Sequence, residues 1–403
     1  MKVLVPLTCS LLVGVTTGVW AQDTPVPGTR AAMIAAQQQE KAKTVRPYEP
    51  NKAEIWVKEL EEQFLLGNMK LHPFFDSAYS GGGFTLGAGY LEHVGAYDTI
   101  DVRGSLTFSG YKRIEAEYRA PRLFGRRGML SVLGGWREAT QVGYFGTGMD
   151  TSKDDRVNYS FRQPYASATL AVRPAPRHWF VLTGGIEYSE WDQRPGKGSY
   201  PSVESVYTPA TLSGLGASPT YFRPMASAAV DWRSSPDYAR RGGLYGITWY
   251  GYSDGGENPF GFGQVDYEVI QHLPVLRDAW VLSLRGKLST TYTKDDETIP
   301  FFMLPALGGG SSLRGYSSWR YRDNHSLLLQ AEWRTLVSNF FDFAIFYDAG
   351  TVAARQSDLS LDDLRSDFGV GFRLHGPMTT PLRIEFAKGH EGFHIVFSAH
   401  AAF

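Results

Sequence analysis

Gly392-Phe393-His394-Ile395-Val396-Phe397-Ser398-Ala399-His400-Ala401-Ala402-Phe403 is the stretch whose reading decides the fold. Phe393, Ile395, Phe397, Ala399, Ala401 and Phe403 fall on one side of an extended chain, and His394, Val396, Ser398, His400 and Ala402 on the other. Successive side chains of a strand point to opposite faces, so this is one apolar and one more polar face. The same period of two recurs upstream. Leu327, Leu329, Ala331 and Trp333 alternate with Gln330, Glu332 and Arg334, and Leu282, Leu284 and Leu288 with Ser283, Arg285, Lys287 and Ser289. Val265, Tyr267 and Val269 alternate with Gln264, Asp266, Glu268 and His272. A soluble sandwich turns its apolar set inward, whereas a membrane barrel turns it outward and needs a wet lumen for its charges. Alternation alone leaves both open.

The amino end favours the membrane. Lys2, the apolar run through Leu11, Leu12, Val13 and Val15, and Val19-Trp20-Ala21 before Gln22 read as a secretory signal over residues 1–21. The single cysteine, Cys9, lies inside it, so no disulfide is expected in the mature chain. Pro6-Leu7-Thr8 lacks the small residue that a lipidated cysteine requires. Composition points the same way. Hydrophobic residues are 43% of the chain, yet no apolar run after the first 20 residues reaches helix-spanning length, which excludes a helical membrane protein. Aromatics are 14%, with 44 glycines, which suits short strands ending in interfacial aromatic girdles. The net charge of -1, with no basic stripe, argues against nucleic acid as a partner.

Strands are expected near 71–79, 83–92, 99–109, 111–121, 128–138, 157–173, 178–191, 220–233, 243–253, 261–272, 279–292, 325–336, 340–350, 366–376, 381–389 and 392–403. That is an even set of sixteen, as a barrel with both ends in the periplasm requires. Pro174-Ala175-Pro176 and Leu273-Pro274-Val275 read as tight turns, and 192–219 and 293–324 as long loops. The fold class expected is therefore all-β: a closed, sixteen-stranded antiparallel transmembrane β-barrel over 71–403, with an inward-folded extracellular loop and a short N-terminal helical segment. Residues 22–70 are a periplasmic or plug-like segment, partly helical, with one helix over Ala31 to Lys43 and another over Asn51 to Leu66.

The functional constellation centres on the loop 293–324, which contains Gly308-Gly309-Gly310-Ser311-Ser312-Leu313-Arg314-Gly315-Tyr316. Loops this long inside a compact fold are usually functional. Glu332 lies on the inward face of the next strand, and the following strand carries Phe346-Tyr347-Asp348-Ala349-Gly350 with Asp348 inward. Two carboxylates on adjacent strands facing one lumen attract an arginine, whose planar fork can bond both. If the loop folds inward, Arg314 is that arginine, and Gly315 lets the backbone make the tip.

Leu313-Arg314-Gly315-Tyr316 resembles the arginine-glycine-aromatic tip of the inward-folded sixth loop in the BamA/TamA-like outer-membrane assembly superfamily, the bacterial surface antigen barrels. Glu332-Trp333-Arg334 resembles the glutamate strand that follows, and Phe346-Tyr347-Asp348-Ala349-Gly350 its aromatic-x-Asp-x-Gly strand. Tyr144-Phe145-Gly146-Thr147-Gly148 is similar to an earlier aromatic-Gly-x-Gly element. The resemblance covers roughly 71–403. It implies sixteen strands, with Arg314 paired to Asp348 and Glu332 inside the barrel. It also implies assembly, insertion or translocation of outer-membrane or surface proteins or lipids, in the outer membrane of a Gram-negative bacterium. Implied partners are outer-membrane lipids including lipopolysaccharide, the barrel-assembly machinery and periplasmic chaperones during biogenesis, and a client protein or lipid. Residues 22–70 are too few and too helix-like for a POTRA domain, so the expectation is a POTRA-less member.

No cofactor, metal or catalytic residue is expected. Gly251-Tyr252-Ser253-Asp254-Gly255 spells the serine-hydrolase elbow, but that motif works only as a strained strand-to-helix turn. His390-Glu391-Gly392-Phe393-His394 spells a zinc-protease motif, whose chemistry needs both histidines on one helix face; Gly392 makes it a hairpin tip instead. Trp280, Trp333 and Tyr347 read as lipid-facing wall. The competing functions are a gated or passive pore, with the loop as its constriction, and a structural surface antigen binding through its long loops.

Overall fold

The computed structural model describes residues 30–44, 70–175, 179–256, 259–276, 278–338, 340–376, 380, 382–398 and 400–403. The chain divides into two compact units, Met1–Val57 and Lys58–Phe403. In the first, Arg30–Thr44 forms helix α1. Its alanines and unbranched side chains are strong helix formers, and Lys41 and Lys43 sit in the last turn, where the exposed carbonyls favour cations. The second expected helix, Asn51 to Leu66, lies outside the described residues.

The second unit is built from strands β1 (Leu71–Pro73), β2 (Thr85–Val94), β3 (Asp98–Thr107), β4 (Lys112–Arg122), β5 (Gly128–Tyr144), β6 (Val157–Val172), β7 (Phe180–Glu190), β8 (Asp192–Pro195), β9 (Thr220–Asp231) and β10 (Gly242–Asp254). It continues through β11 (Phe262–Leu276), β12 (Trp280–Tyr292), β13 (Ala306–Leu307), β14 (Tyr321–Arg322), β15 (His325–Ser338), β16 (Phe341–Ala353), β17 (Arg365–Leu374), β18 (Leu382–Gly389) and β19 (Gly392–Ser398). All but β13 and β14 belong to one seventeen-stranded sheet, and those two form a small hairpin inside the long loop. The sheet is antiparallel throughout. After Trp191 the chain continues as β8, which pairs with β6, while β7 pairs with β9.

The period-two pattern sorts side chains as read. Leu329, Tyr347, Trp280, Tyr267, Phe368, Phe393, Ile395 and Phe397 are exposed on the outer face, and Gln330, Glu332, Arg334, Asp348 and His272 are buried on the inner one. An apolar exterior around a charged, mutually paired interior is the inversion that a bilayer requires.

Closure of the sheet is not shown among the described residues, and two strand bounds need correction. Pairing starts with Leu71↔Tyr90 between β1 and β2 and ends with Arg383↔Ser398 between β18 and β19, and among the described residues no register joins β19 to β1 or β2. The rings of Phe84 and Phe397 meet across this edge, edge to face at 5.7 Å. The first strand does not run to 79. Pro73 has no N–H for a ladder, and past it the Phe74 N–H donates to Gly87 O at 2.9 Å as the chain turns inside the sheet. There the Phe74 ring lies 5.2 and 5.6 Å from the guanidinium groups of Arg103 and Arg113. Arg113 also donates to the Asp76 carboxylate, so a charged interior draws this segment off the wall. The last strand ends at Ser398 rather than 403, and the Phe403 ring lies parallel to that of inward-facing His272 at 6.3 Å.

The two ends of the sheet differ. Turns such as 95–97 and 123–127 at one end are short. At the other, Tyr144, Tyr159, Phe161, Trp191, Tyr221, Phe301 and Phe302 gather from strand ends and long loops into one buried aromatic cluster. It caps the end from which the loop 293–324 enters.

Candidate functional site: an arginine-latched loop inside the sheet

The loop leaves β12 at Tyr292 and rejoins the sheet at His325. Gly308 and Gly309 take φ values of +115° and +96°, a left-handed turn that side chains resist. A Cβ on Gly308 would lie 2.2 Å from Ser317 O, so the crossing of the loop's two arms requires glycine. The Gly308 N–H donates to Ser312 Oγ at 2.8 Å, and the Gly309 N–H to Leu313 O at 3.0 Å. Leu313 then packs with Leu307, Tyr316, Tyr321, Leu328 and Val352 in a buried cluster against β15 and β16.

That packing aims Arg314 at the wall, where it is fully buried. Its Nε donates to Asp348 Oδ2 at 2.6 Å and its Nη2 to Asp348 Oδ1 at 2.7 Å, a bidentate fork. Its Nη1 reaches Glu332 Oε2 at 3.1 Å and Glu385 Oε1 at 2.8 Å. The face of the guanidinium lies 3.5 Å from the Phe346 ring centroid, a cation–π contact in a desolvated setting. Gln330 Nε2 bridges Asp348 Oδ1 at 3.0 Å and Ser312 O at 2.8 Å, tying wall to loop backbone.

Each member of the aromatic-x-Asp-x-Gly strand has a separate task here. Phe346 is the plate beneath the cation and Asp348 accepts the fork. Gly350 leaves room for the loop, since a Cβ there would meet Leu307 Cδ1 at 2.8 Å. Gly315 is needed for close approach rather than for a left-handed turn. Its φ is not positive, but a Cβ would lie 2.5 Å from Asp367 Cβ and 2.6 Å from Gly389 N. Tyr316 donates its hydroxyl to Ser366 O at 3.1 Å. The structure thus brings Arg314, Gly315, Tyr316, Glu332, Phe346, Asp348 and Gly350 into one constellation.

Sequence reasoning missed part of the site. Glu385 is a third carboxylate on Arg314, and Arg373 donates to both Glu332 and Glu385. Arg383 reaches Glu385 at 3.4 Å and Gly310 O at 3.0 Å. Asp367, opposite Asp348 in the β16–β17 register, is buried with neither oxygen hydrogen-bonded. The signal was available: Arg373, on β17, and Arg383 and Glu385, on the adjacent β18, occupy inward positions of the period-two pattern. A second arginine latch is Arg320, whose Nε donates to Glu391 Oε2 at 2.8 Å and whose Nη1 donates to Thr151 Oγ1 at 2.7 Å. Glu391, the glutamate of the zinc-protease spelling, sits in the β18–β19 tip where Gly392 has φ +145°. Ser253 of the hydrolase spelling lies within β10, opposite Phe222. Among the described residues no group of histidines and acids has the geometry of a metal site.

Two further contacts complete the lumen. In the Tyr144–Gly148 element, Gly148 N–H donates to Arg322 O at 2.8 Å. The segment after β1 also docks on the loop: Tyr79 stacks on Trp319 at 4.5 Å, and Trp319 Nε1 donates to Ser80 O at 2.9 Å. Between this segment, the loop tip and β19 lies a cavity of about 620 Å³, lined in part by Arg383, His394 and Val396.

The Omp85 superfamily domain matches residues 102–395. The fold is similar to that of BamA from Haemophilus ducreyi lacking POTRA domains 1-3, at 16% identity and a TM-score of 0.56, over 89% of this chain and 80% of that one. It is also similar to CdiB from Escherichia coli, at 12% identity and a TM-score of 0.52, over 80% of this chain. CdiB from Acinetobacter baumannii matches at 11% identity and a TM-score of 0.50, over 79% of this chain. The chain spans 57% and 56% of the length of those two CdiB proteins. No curated protein matches in sequence. With the domain match extending over most of the chain and the latched loop in place, this protein belongs to the Omp85 superfamily.

Proposed function

We propose that this chain is an integral outer-membrane barrel of a Gram-negative bacterium that assists assembly, insertion or translocation of outer-membrane or surface clients, protein or lipid. On this reading residues 1–21 are its export signal. The wall closes as sixteen strands once β7 and β8 count as one and β19 meets β1 and β2. It carries no enzymatic activity. Lipopolysaccharide and other outer-membrane lipids surround it, and the barrel-assembly machinery and periplasmic chaperones deliver it. The observation that carries the reading is the loop held by Arg314 against Asp348, Glu332 and Glu385. A passive pore is disfavoured because the lumen is filled by this loop and by the segment around Tyr79, under an aromatic cap. Membership of the Omp85 superfamily supports an assembly or translocation role over that of a structural surface antigen.

The test is the outer-membrane and surface proteome of cells lacking the chain, complemented with wild type or with Arg314→Ala. The expected result is loss of a defined subset of surface proteins, restored by wild type and not by the variant. An unchanged proteome, together with a large steady conductance of the wild-type protein in planar bilayers, would overturn it in favour of the pore.

A further inference from the structure

The end of the sheet with short turns carries a group of cations that the latch does not use. Arg122 ends β4, Arg126 and Arg127 stand in the turn to β5, and Arg173 follows β6. They are contiguous: the Arg173 N–H donates to Arg127 O at 2.7 Å, Arg127 Nη1 approaches Pro174 O at 3.5 Å, and the Arg122 guanidinium lies 3.5 Å from the Tyr97 ring. All four are exposed, and among the described residues none forms an ion pair. Nearby acids are already engaged. Glu117 pairs with Arg103 and Arg119, Asp98 accepts the Tyr118 hydroxyl at 2.6 Å, and Asp231 pairs with Arg233.

The turn holds an aromatic residue outward beside these cations. Phe124 has φ +52° and Arg126 φ +71°, a conformation costly for side chains with a Cβ, and Phe124 is 59% exposed. On the outer face of the neighbouring strands, exposed Val102 and Ile114 give way toward this end to a row in which Tyr118 pairs with Ile100 and Val132, and beyond it stand Tyr97 and Phe124. The arginines come next. Apolar wall, aromatic ring and then cations outside any ion pair follow the order of hydrocarbon, interface and headgroup in a bilayer leaflet.

We propose that Arg122, Arg126, Arg127 and Arg173, with Phe124 as the interfacial anchor, bind anionic phospholipid headgroups in the leaflet at the short-turn end. The planar guanidinium forks suit phosphodiester oxygens, and the exposed ring suits the glycerol–acyl boundary. This rests on the membrane-spanning reading above. Full-length protein is reconstituted into nanodiscs of equal phosphatidylglycerol and phosphatidylcholine, and the lipids retained on extraction are measured. Wild type should retain phosphatidylglycerol selectively, and replacing Arg122, Arg126 and Arg127 by Gln should cut that preference by roughly fivefold per arginine. Equal retention of the two lipids by wild type would overturn the proposal without reference to any variant. Failure of wild type to insert at all would instead contradict the membrane reading. A photo-crosslinking amino acid in place of Phe124 should give lipid adducts in cells; a protein adduct in their place would overturn the lipid assignment.

Discussion

Arg314→Ala is expected to destabilise the folded protein by about 3–5 kcal/mol, because it leaves buried carboxylates without their cation. The loss is not the Coulomb attraction of the pairs, which desolvation largely offsets. It is the cost of leaving Asp348, Glu332 and Glu385 in a site where all three are almost fully buried. Arg373 still reaches Glu332 and Glu385, so the stranded charge concentrates on Asp348, whose remaining donors are Gln330 and the backbone N–H of residue 314. Arg314→Lys restores a charge but not the fork or the stacking on Phe346, and should recover part of the loss. Urea midpoints and heat-modifiable migration in micelles read the order wild type, Lys, Ala. Equal midpoints for all three would remove the latch from the account.

Gly315→Val should release the loop tip while leaving every charge in place. A Cβ at 315 would meet Asp367 Cβ at 2.5 Å and Gly389 N at 2.6 Å, and a Cβ at 389 would in turn lie 2.5 Å from the backbone oxygen of Gly315. Two backbones touch here, so no flexible side chain can move aside. Overpacking of this kind costs about 1–3 kcal/mol where the surroundings yield. Here yielding means lifting the tip, which also pulls Arg314 off Asp348, so the loss should approach that of Arg314→Ala. Gly315→Ala should be milder, and Gly134→Ala is the control, since a Cβ there has nothing within 4 Å. Limited proteolysis of the loop reports the effect: cleavage between 306 and 322 should appear for Gly315→Val and not for Gly134→Ala.

Much of the wall was legible because a half-buried strand writes its two faces into a period of two. The stretches at 264–272, 280–289 and 327–334 gather their charges on one face, where Glu268 pairs with Arg285, Asp266 with Lys287, and Glu332 and Arg334 are buried. Arg314, Glu332 and Asp348 were legible for the same reason, as isolated charges at inward positions facing a loop with one suitable cation. The edge of the sheet was not. Residues 74–79 have the composition of a strand, but their partners are Arg113 and Trp319, far along the chain, and no local pattern encodes them. Phe403 alternates correctly and still turns toward His272, since tertiary contact outweighs periodicity at a chain end. Gly315 was expected for a tight tip, and its real constraint is a neighbour 74 positions later, Gly389.

The central claim is that the loop tip lies inside the wall, held by Arg314. The most direct measurement is labelling of Ser312→Cys in intact cells with a membrane-impermeant maleimide, beside Asp295→Cys in the outer part of the same loop. The only native cysteine is Cys9, and Ser312 is buried while Asp295 is exposed. The account predicts rapid labelling at 295, protection at 312, and loss of that protection when Arg314→Ala is added. Labelling at 312 as fast as at 295 with Arg314 intact would contradict it.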